Sequence, residues 1–307
     1  MGRVKVLVCD PIHEDGVELM REAGFEVDLK TSIGGDELAE IIGGYDAIVV
    51  RSQTKVTKEV LTESGGLRVI ARAGVGLDNI DFDEAKKRGI EVVNSPEASS
   101  NAVAELVIGF MLSLARRIPE ADASTKRAEW IKRRLSGFEL KGKTLGVIGF
   151  GRIGFLVAKK AGALGMRVLT YDVIIEKLTD HVEMVAAEAV SLETLLSSSD
   201  FVTVHVPLIT QTRHMIGRKE IKMMKRGSYI INAARGGVVD EEALREALTD
   251  GLLAGAALDV YEEEPQRDIS LVGLESVVCT PHIGAATEEA QRANSTIIAE
   301  KLIKIFS

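Results

Sequence analysis

The sequence predicts an α/β protein made of two domains, each a doubly wound parallel sheet. Three observations carry that reading. Short apolar strands alternate with helical stretches through the first 95 residues, a second alternation begins at Gly142, and within it a glycine-rich turn joins a strand to a helix. Strands separated by crossover helices build parallel sheets covered on both faces. In the first half the strands are expected at residues 4–9, 25–28, 47–50, 69–71 and 91–93, with helices at 14–23, 36–42 and 83–88 between them. Residues 1–8 carry too short an apolar run for a signal peptide and read as the opening of the first strand. Asn94-Ser-Pro96 then breaks the pattern, which places a domain boundary near residue 97. Residues 103–115 form a long helix, apolar nearly all round, whose burial between domains or subunits is expected. In the second half the strands are expected at 144–148, 168–171, 201–206, 229–232, 255–259 and 277–280, with helices at 241–249 and, closing the chain, 288–305.

The second alternation holds the strongest chemical signal. Residues 144–148 run straight into Gly149-Phe-Gly151-Arg-Ile-Gly154, and Asp172 closes the next apolar run, 18 residues beyond Gly154. This pattern fits a dinucleotide. Gly149 permits the tight turn, Gly151 lets a pyrophosphate approach the backbone, and Gly154 lets helix pack close on strand. The helix that follows aims N–H groups and the positive end of its dipole at the phosphates. Asp172 suits both ribose hydroxyls and repels a 2′-phosphate, and no Arg or Lys follows before Lys177, which favours NAD over NADP.

Composition narrows the rest. The 307 residues suit two domains, and 46% hydrophobic with 27% charged residues is ordinary for a globular protein. A net charge of −8 argues against nucleic acid as a main partner. No apolar stretch is long enough to span a membrane. The two cysteines, Cys9 and Cys279, read as buried reduced thiols of a cytoplasmic protein, and no metal-ligand spacing occurs.

Three further segments follow strands of the second domain, where ligands bind in such sheets. Arg235, beside a glycine turn, offers a fork that matches a carboxylate. The acidic run ending at Glu264-Pro265 follows a strand that reads as buried. His282, after a strand and a proline, can donate and accept a proton near neutral pH. In order along the chain, Val50-Arg-Ser52, Arg72-Ala-Gly-Val-Gly-Leu-Asp-Asn-Ile-Asp81, Val103-Ala-Glu-Leu106, the 149–154 turn, Asn232-Ala-Ala-Arg-Gly236, Ala257-Leu-Asp-Val260, Glu264-Pro265 and Pro281-His-Ile-Gly-Ala285 together resemble the D-isomer-specific 2-hydroxyacid dehydrogenases, over essentially the whole chain.

The resemblance implies a Rossmann NAD-binding domain at residues 97–283 and a flavodoxin-like substrate domain at 1–96 plus 284–307. Pattern alone does not say to which half the last helix returns. Arg235 would bind the substrate carboxylate, His282 would exchange the C2 hydroxyl proton, and Glu264 would orient His282. Arg152 and Ile153 would offer backbone to the pyrophosphate. Val206, Pro207, Ala233, Ala234, Asp259, Gly284 and Ala285 would line the nicotinamide side, Asp259 holding the carboxamide. His205 lies near the cofactor in this family but reads as structural, and His13, His181 and His214 as surface histidines. The first domain would supply the far wall of the cleft: Gly74, Val75 and Gly76 present amides to a carboxylate, and Arg51, Ser52, Arg72 and Ser99 contact substrate. Arg134 belongs to a basic arm, 130–134, that would reach a neighbouring subunit or else be a solvated loop, with Trp130 packing on the arm. A homodimer is implied.

Similarity is strongest to members acting on 3-phospho-D-glycerate, so NAD-dependent oxidation of that phosphorylated 2-hydroxy acid is expected. Ser99 stands where those members often carry Asn, which leaves glyoxylate or hydroxypyruvate reduction as the alternative. A non-catalytic nucleotide-sensing co-repressor on the same fold is the reading from a different class. The chain ending at Ser307 leads us to expect no regulatory module.

Overall fold

A computed structural model describes residues 3–307; Met1 and Gly2, which open the run read as the first strand, lie outside the described residues. The chain divides into two compact units. One runs up to Ser99 and resumes at Ala285–Ser307, and the other spans Ser100–Gly284.

In the first unit β1 (Lys5–Val8), β2 (Glu26–Leu29), β3 (Ala47–Val50), β4 (Val69–Arg72) and β5 (Glu91–Asn94) form a wholly parallel sheet in the order β2-β1-β3-β4-β5. That is the flavodoxin-like order. Strand alternation divides the core as a period of two requires. Leu7, Ile48, Val50 and Ile70 face Leu38, Val60, Leu61 and Ala85. Val6, Val8, Val49 and Ala71 face Met20, Ile298, Ala299 and Leu302. The second face is covered by helices Glu14–Glu22 and Glu288–Phe306, joined by the Arg292–Asp15 ion pair and by the Ser295 hydroxyl donating to the His13 carbonyl at 2.7 Å. The last helix therefore packs with the first strands.

In the second unit β6 (Thr144–Ile148), β7 (Arg167–Tyr171), β8 (Glu188–Ala189), β9 (Phe201–Val204), β10 (Tyr229–Asn232), β11 (Gly255–Leu258) and β12 (Val277–Cys279) run parallel in the order β12-β11-β10-β9-β6-β7-β8. Counted from β6, this is the dinucleotide-binding order with one strand added at the β12 edge. Helices Ser100–Arg116 and Arg152–Ala163 cover one face; Leu195, Ile221, Leu244 and Leu248 pack on the other.

Two expectations are corrected, on Cys279 and Trp130. Within the single chain the long helix is buried along one stripe, Val103, Ala104, Val107, Phe110, Met111 and Leu114, while Leu112 on its other side is exposed. Its spacing of three and four residues is that of an amphipathic helix lying on a sheet. Cys279 is exposed, because it ends the edge strand of its sheet; only Cys9 is a buried thiol. Trp130 does not pack: it is 86% exposed, in a segment whose only regular structure is the short turn Lys132–Arg134. Four strands also stop short of the runs that predicted them: β1 ends at Val8, one residue before Cys9, and β9, β11 and β12 end early as well. Residues 205–206, Asp259 and Thr280 leave the sheet and become the loops described next.

Candidate active site

The carboxyl ends of β7, β6, β9, β10, β11 and β12 lie in a row along one edge of the second sheet. Nearly every candidate residue of this unit sits on the loop that leaves one of them. The switch point, where successive connections depart in opposite directions, falls between β6 and β9.

At β6 the backbone turns sharply at Gly149, whose φ is +89°, and the helix Arg152–Ala163 begins with no side chain capping its first turn. Its leading N–H groups point out of the turn. A Cβ on Gly154 would come within 2.1 Å of the Gly149 carbonyl oxygen, so only glycine lets the helix seat this close to the strand. A Cβ on Gly151 would meet nothing within 4 Å, so the turn is open on the side a pyrophosphate needs. Asp172, past the end of β7, accepts from the Phe150 N–H at 2.7 Å and the Ile174 N–H at 3.0 Å. The carboxylate is thereby fixed beside the turn. These features fit a dinucleotide, with Arg152 and Ile153 opening the helix that would hold its phosphates.

Beyond the switch point, His205 follows β9. Its Nε2 pairs with the Thr203 hydroxyl at 3.0 Å, and its Nδ1 is buried without a hydrogen-bond partner. Burial drives its pKa down to about 3, so the ring is neutral.

Three neighbouring loops carry the acid-base candidates. After β10, Asn232 braces its own turn, donating to the Arg235 carbonyl at 2.9 Å and accepting from the Ala234 N–H at 3.1 Å. Arg235 is half-buried and Ala233 is buried. The next residue, Gly236, lies so close to the following loop that a Cβ would be 1.8 Å from the Tyr261 carbonyl oxygen. After β11, Glu264 accepts from the Tyr261 N–H through Oε1 at 3.1 Å. Its Oε2 meets His282 Nδ1 at 2.8 Å. This imidazole–carboxylate pair is the clearest chemical feature of the unit. Both members are solvent-accessible, as a site that exchanges protons with a ligand must be.

His282 stands in the left-handed region, φ +53°, which costs a non-glycine residue of order 1 kcal/mol or more. Asp259 holds that turn. Its carboxylate, 1% exposed, accepts from the Thr280 hydroxyl at 2.5 Å, the Ile283 N–H at 2.8 Å and the Gly284 N–H at 2.8 Å. The residue expected at the nicotinamide carboxamide thus has both oxygens engaged by the loop that presents His282. Tyr261 adds a second tie, with its hydroxyl 2.9 Å from the Thr280 carbonyl.

The first unit presents its own candidates at strand ends. Arg51 and Ser52 follow β3, and Arg72 ends β4 before the Gly74-Val75-Gly76 turn. Gly74 donates its N–H to Ser95 Oγ at 2.9 Å, and Ser95 donates to the buried Asn294 at 2.6 Å. That leaves the amides of Val75 and Gly76, which find no acceptor among the described residues, as donors for a carboxylate. Ser99 is buried, and Arg134 is exposed on its turn with its carbonyl accepting from Arg117 at 2.6 Å. Sequence reasoning passed over Asp10, Asn79, Ser95 and Asn294. Asp10 gave a signal, because it directly follows an apolar strand. Asn294 gave none, being one polar residue in a long helix.

Residues 108–284 match the family model described as the D-isomer specific 2-hydroxyacid dehydrogenase, NAD binding domain. The chain is 52% identical over 304 residues to the D-3-phosphoglycerate dehydrogenase of Methanocaldococcus jannaschii, covering 99% of this chain and 57% of that one. It is 47% identical over 308 residues to the hydroxypyruvate reductase of Thermotoga maritima, covering 99% of each. Among solved structures, the holo D-mandelate dehydrogenase of Rhodotorula graminis superposes with a TM-score of 0.91 at 29% identity, covering 98% of this chain and 94% of that one. The chain therefore spans a little over half the length of the phosphoglycerate dehydrogenase and the full length of the reductase.

Proposed function

The chain belongs to the D-isomer-specific 2-hydroxyacid dehydrogenases, and on that premise we propose that it oxidises 3-phospho-D-glycerate to 3-phosphohydroxypyruvate with NAD, the first step of the phosphorylated route to serine. The 2.8 Å contact between His282 and Glu264 carries the reading. With Nδ1–H donated to Glu264, Nε2 holds the lone pair that takes the proton of the C2 hydroxyl. Glu264 fixes the ring and stabilises the imidazolium that forms. Arg235 binds the substrate carboxylate through its fork and polarises the C2 oxygen as it becomes a carbonyl. NAD, when bound, supplies the acceptor for the hydride leaving C2. The balance is one hydride to the nicotinamide and one proton to His282. Arg51 and Ser52 take the phosphate, Val75 and Gly76 the carboxylate, and Arg72 and Ser99 complete the substrate contacts. Arg134, Val206, Pro207, Ala233, Ala234 and Ala285 keep the substrate and cofactor roles that the family implies.

A second reading is reduction of hydroxypyruvate or glyoxylate, favoured by the full-length match to the Thermotoga reductase and by the small side chain of Ser99. A substrate panel separates the two. NADH formation from 3-phospho-D-glycerate at alkaline pH, with glycerate turned over less well, is the expected result. Turnover confined to hydroxypyruvate or glyoxylate selects the second reading. No turnover of any 2-hydroxy or 2-oxo acid removes the enzyme and leaves a nucleotide-sensing protein.

A further inference from the structure

We infer that Asp10 and Asn79 are positioning residues that hold residues 51–54 as a pre-shaped anion receptor, and so set affinity for substrate without touching it. The switch point of the first sheet lies between β1 and β3, where a ligand crevice is expected at the carboxyl ends. Asp10 stands just past β1 and Arg51 immediately past β3.

The Asp10 carboxylate is 1% exposed. It accepts from the Arg51 N–H, from the Thr54 N–H at 3.2 and 3.3 Å, and from the Thr54 hydroxyl at 2.8 Å. From the opposite side Asn79 Nδ2 donates to the carbonyls of Arg51 at 2.8 Å and Thr54 at 2.7 Å. The N–H and C=O of both ends of a four-residue loop are therefore occupied, while Ser52 and Gln53 between them stay exposed. The Arg51 side chain is steered by the same segment: its Nη1 donates to the Pro11 carbonyl at 3.2 Å.

Burying a carboxylate is costly unless its oxygens are satisfied. Here both are satisfied by the loop that carries Arg51, so the buried charge and the loop's shape depend on each other. A loop ordered before binding loses little freedom when it captures its ligand. The inference rests on Arg51 binding the substrate anion, as proposed above.

The test is a pair of double-mutant cycles on the full chain. Asp10→Ala and Asn79→Ala are each made alone and with Arg51→Ala, and KM, kcat and NADH affinity are measured with 3-phospho-D-glycerate. Each single variant should raise KM about tenfold while kcat and NADH affinity stay within about threefold, and each should add less than about twofold once Arg51 is gone. Asp10→Asn should restore most of the loss, because its carbonyl can accept from the Arg51 N–H and its amide can donate to Thr54 Oγ1. A KM penalty that persists undiminished beside Arg51→Ala, or no penalty, overturns the inference. If the unmutated chain turns over only hydroxypyruvate or glyoxylate, the substrate reading alone fails, and the same cycles on that substrate decide whether the clamp acts through Arg51. If Asp10→Ala does not fold, the Asn79→Ala and Asp10→Asn arms decide the same question.

Discussion

Replacing Gly154 with alanine should cost the nucleotide site much of its affinity while leaving both sheets intact. The new Cβ would lie 2.1 Å from the Gly149 carbonyl oxygen, 3.1 Å from Val147 Cγ1 and 3.2 Å from the Gly149 carbonyl carbon. Non-bonded heavy atoms sit about 3.5 Å apart, so the helix must back away from the turn by more than about 1 Å. Overpacking of this kind costs about 1–3 kcal/mol, and alanine returns up to about 1 kcal/mol through its better helix propensity. If the displaced geometry is the one that binds phosphate, NADH affinity falls by about 5- to 150-fold, at about 1.4 kcal/mol per factor of ten. Fluorescence titration of NADH measures the loss, with circular dichroism as the check on folding. Gly151→Ala is the companion, because its Cβ meets nothing in the chain within 4 Å. It should keep the melting temperature and still weaken NADH binding, since only a ligand occupies that space. Unchanged NADH affinity in both variants would refute the assignment of the turn to the pyrophosphate.

Three further outcomes are expected. His282→Ala should lower kcat by about 10²–10⁴-fold with NADH affinity nearly unchanged; equal loss of both would mean that the residue shapes the nucleotide site instead. Arg51→Ala should raise KM for 3-phospho-D-glycerate much more than for D-glycerate, and an unaltered preference would remove the phosphate from its role. His205 has a folded pKa of about 3 against an ordinary 6.5. Below pH 6.5 the unfolded chain therefore takes up a proton that the fold refuses, and stability declines toward pH 3 by up to about 1.4 kcal/mol per unit. Urea unfolding of His205→Gln between pH 6.5 and 4.5 should show the shallower slope, and parallel slopes would contradict the burial of the ring.

Much of the fold was legible because parallel strands buried on both faces read as apolar runs, and 47–50, 144–148 and 229–232 are such runs with matching bounds. β8 was not, since Glu188–Ala189 is two exposed residues paired with β7, with only the exposed Arg167–Glu188 ion pair added, and neither residue leaves an apolar run. The ends of β9, β11 and β12 read too long because backbone bonding continues one residue past each strand, the N–H groups of His205, Asp259 and Thr280 donating to the carbonyls of Ile148, Asn232 and Leu258 before the chain turns into its loops. Trp130 and Cys279 were misread as packed because large apolar or thiol side chains usually are, and the edge of a sheet or a loose segment leaves no trace in local pattern. The glycine turn and the His282–Glu264 pair stood out because motif chemistry is local. The braces did not. Asp259 beneath His282, Asp10 and Asn79 around Arg51, and Asn294 behind Ser95 act across 21 to 199 residues of sequence, and such distances carry no periodic signal.

The most direct measurement is the appearance of NADH when the full chain meets NAD and 3-phospho-D-glycerate at alkaline pH, run beside His282→Ala. NADH should accumulate with the unmutated chain and fall by at least about a hundredfold in the variant. Equal rates in the two proteins, or no NADH from this acid or from any other D-2-hydroxy acid offered, would mean that the imidazole–carboxylate pair at the end of the second sheet does not serve hydride transfer.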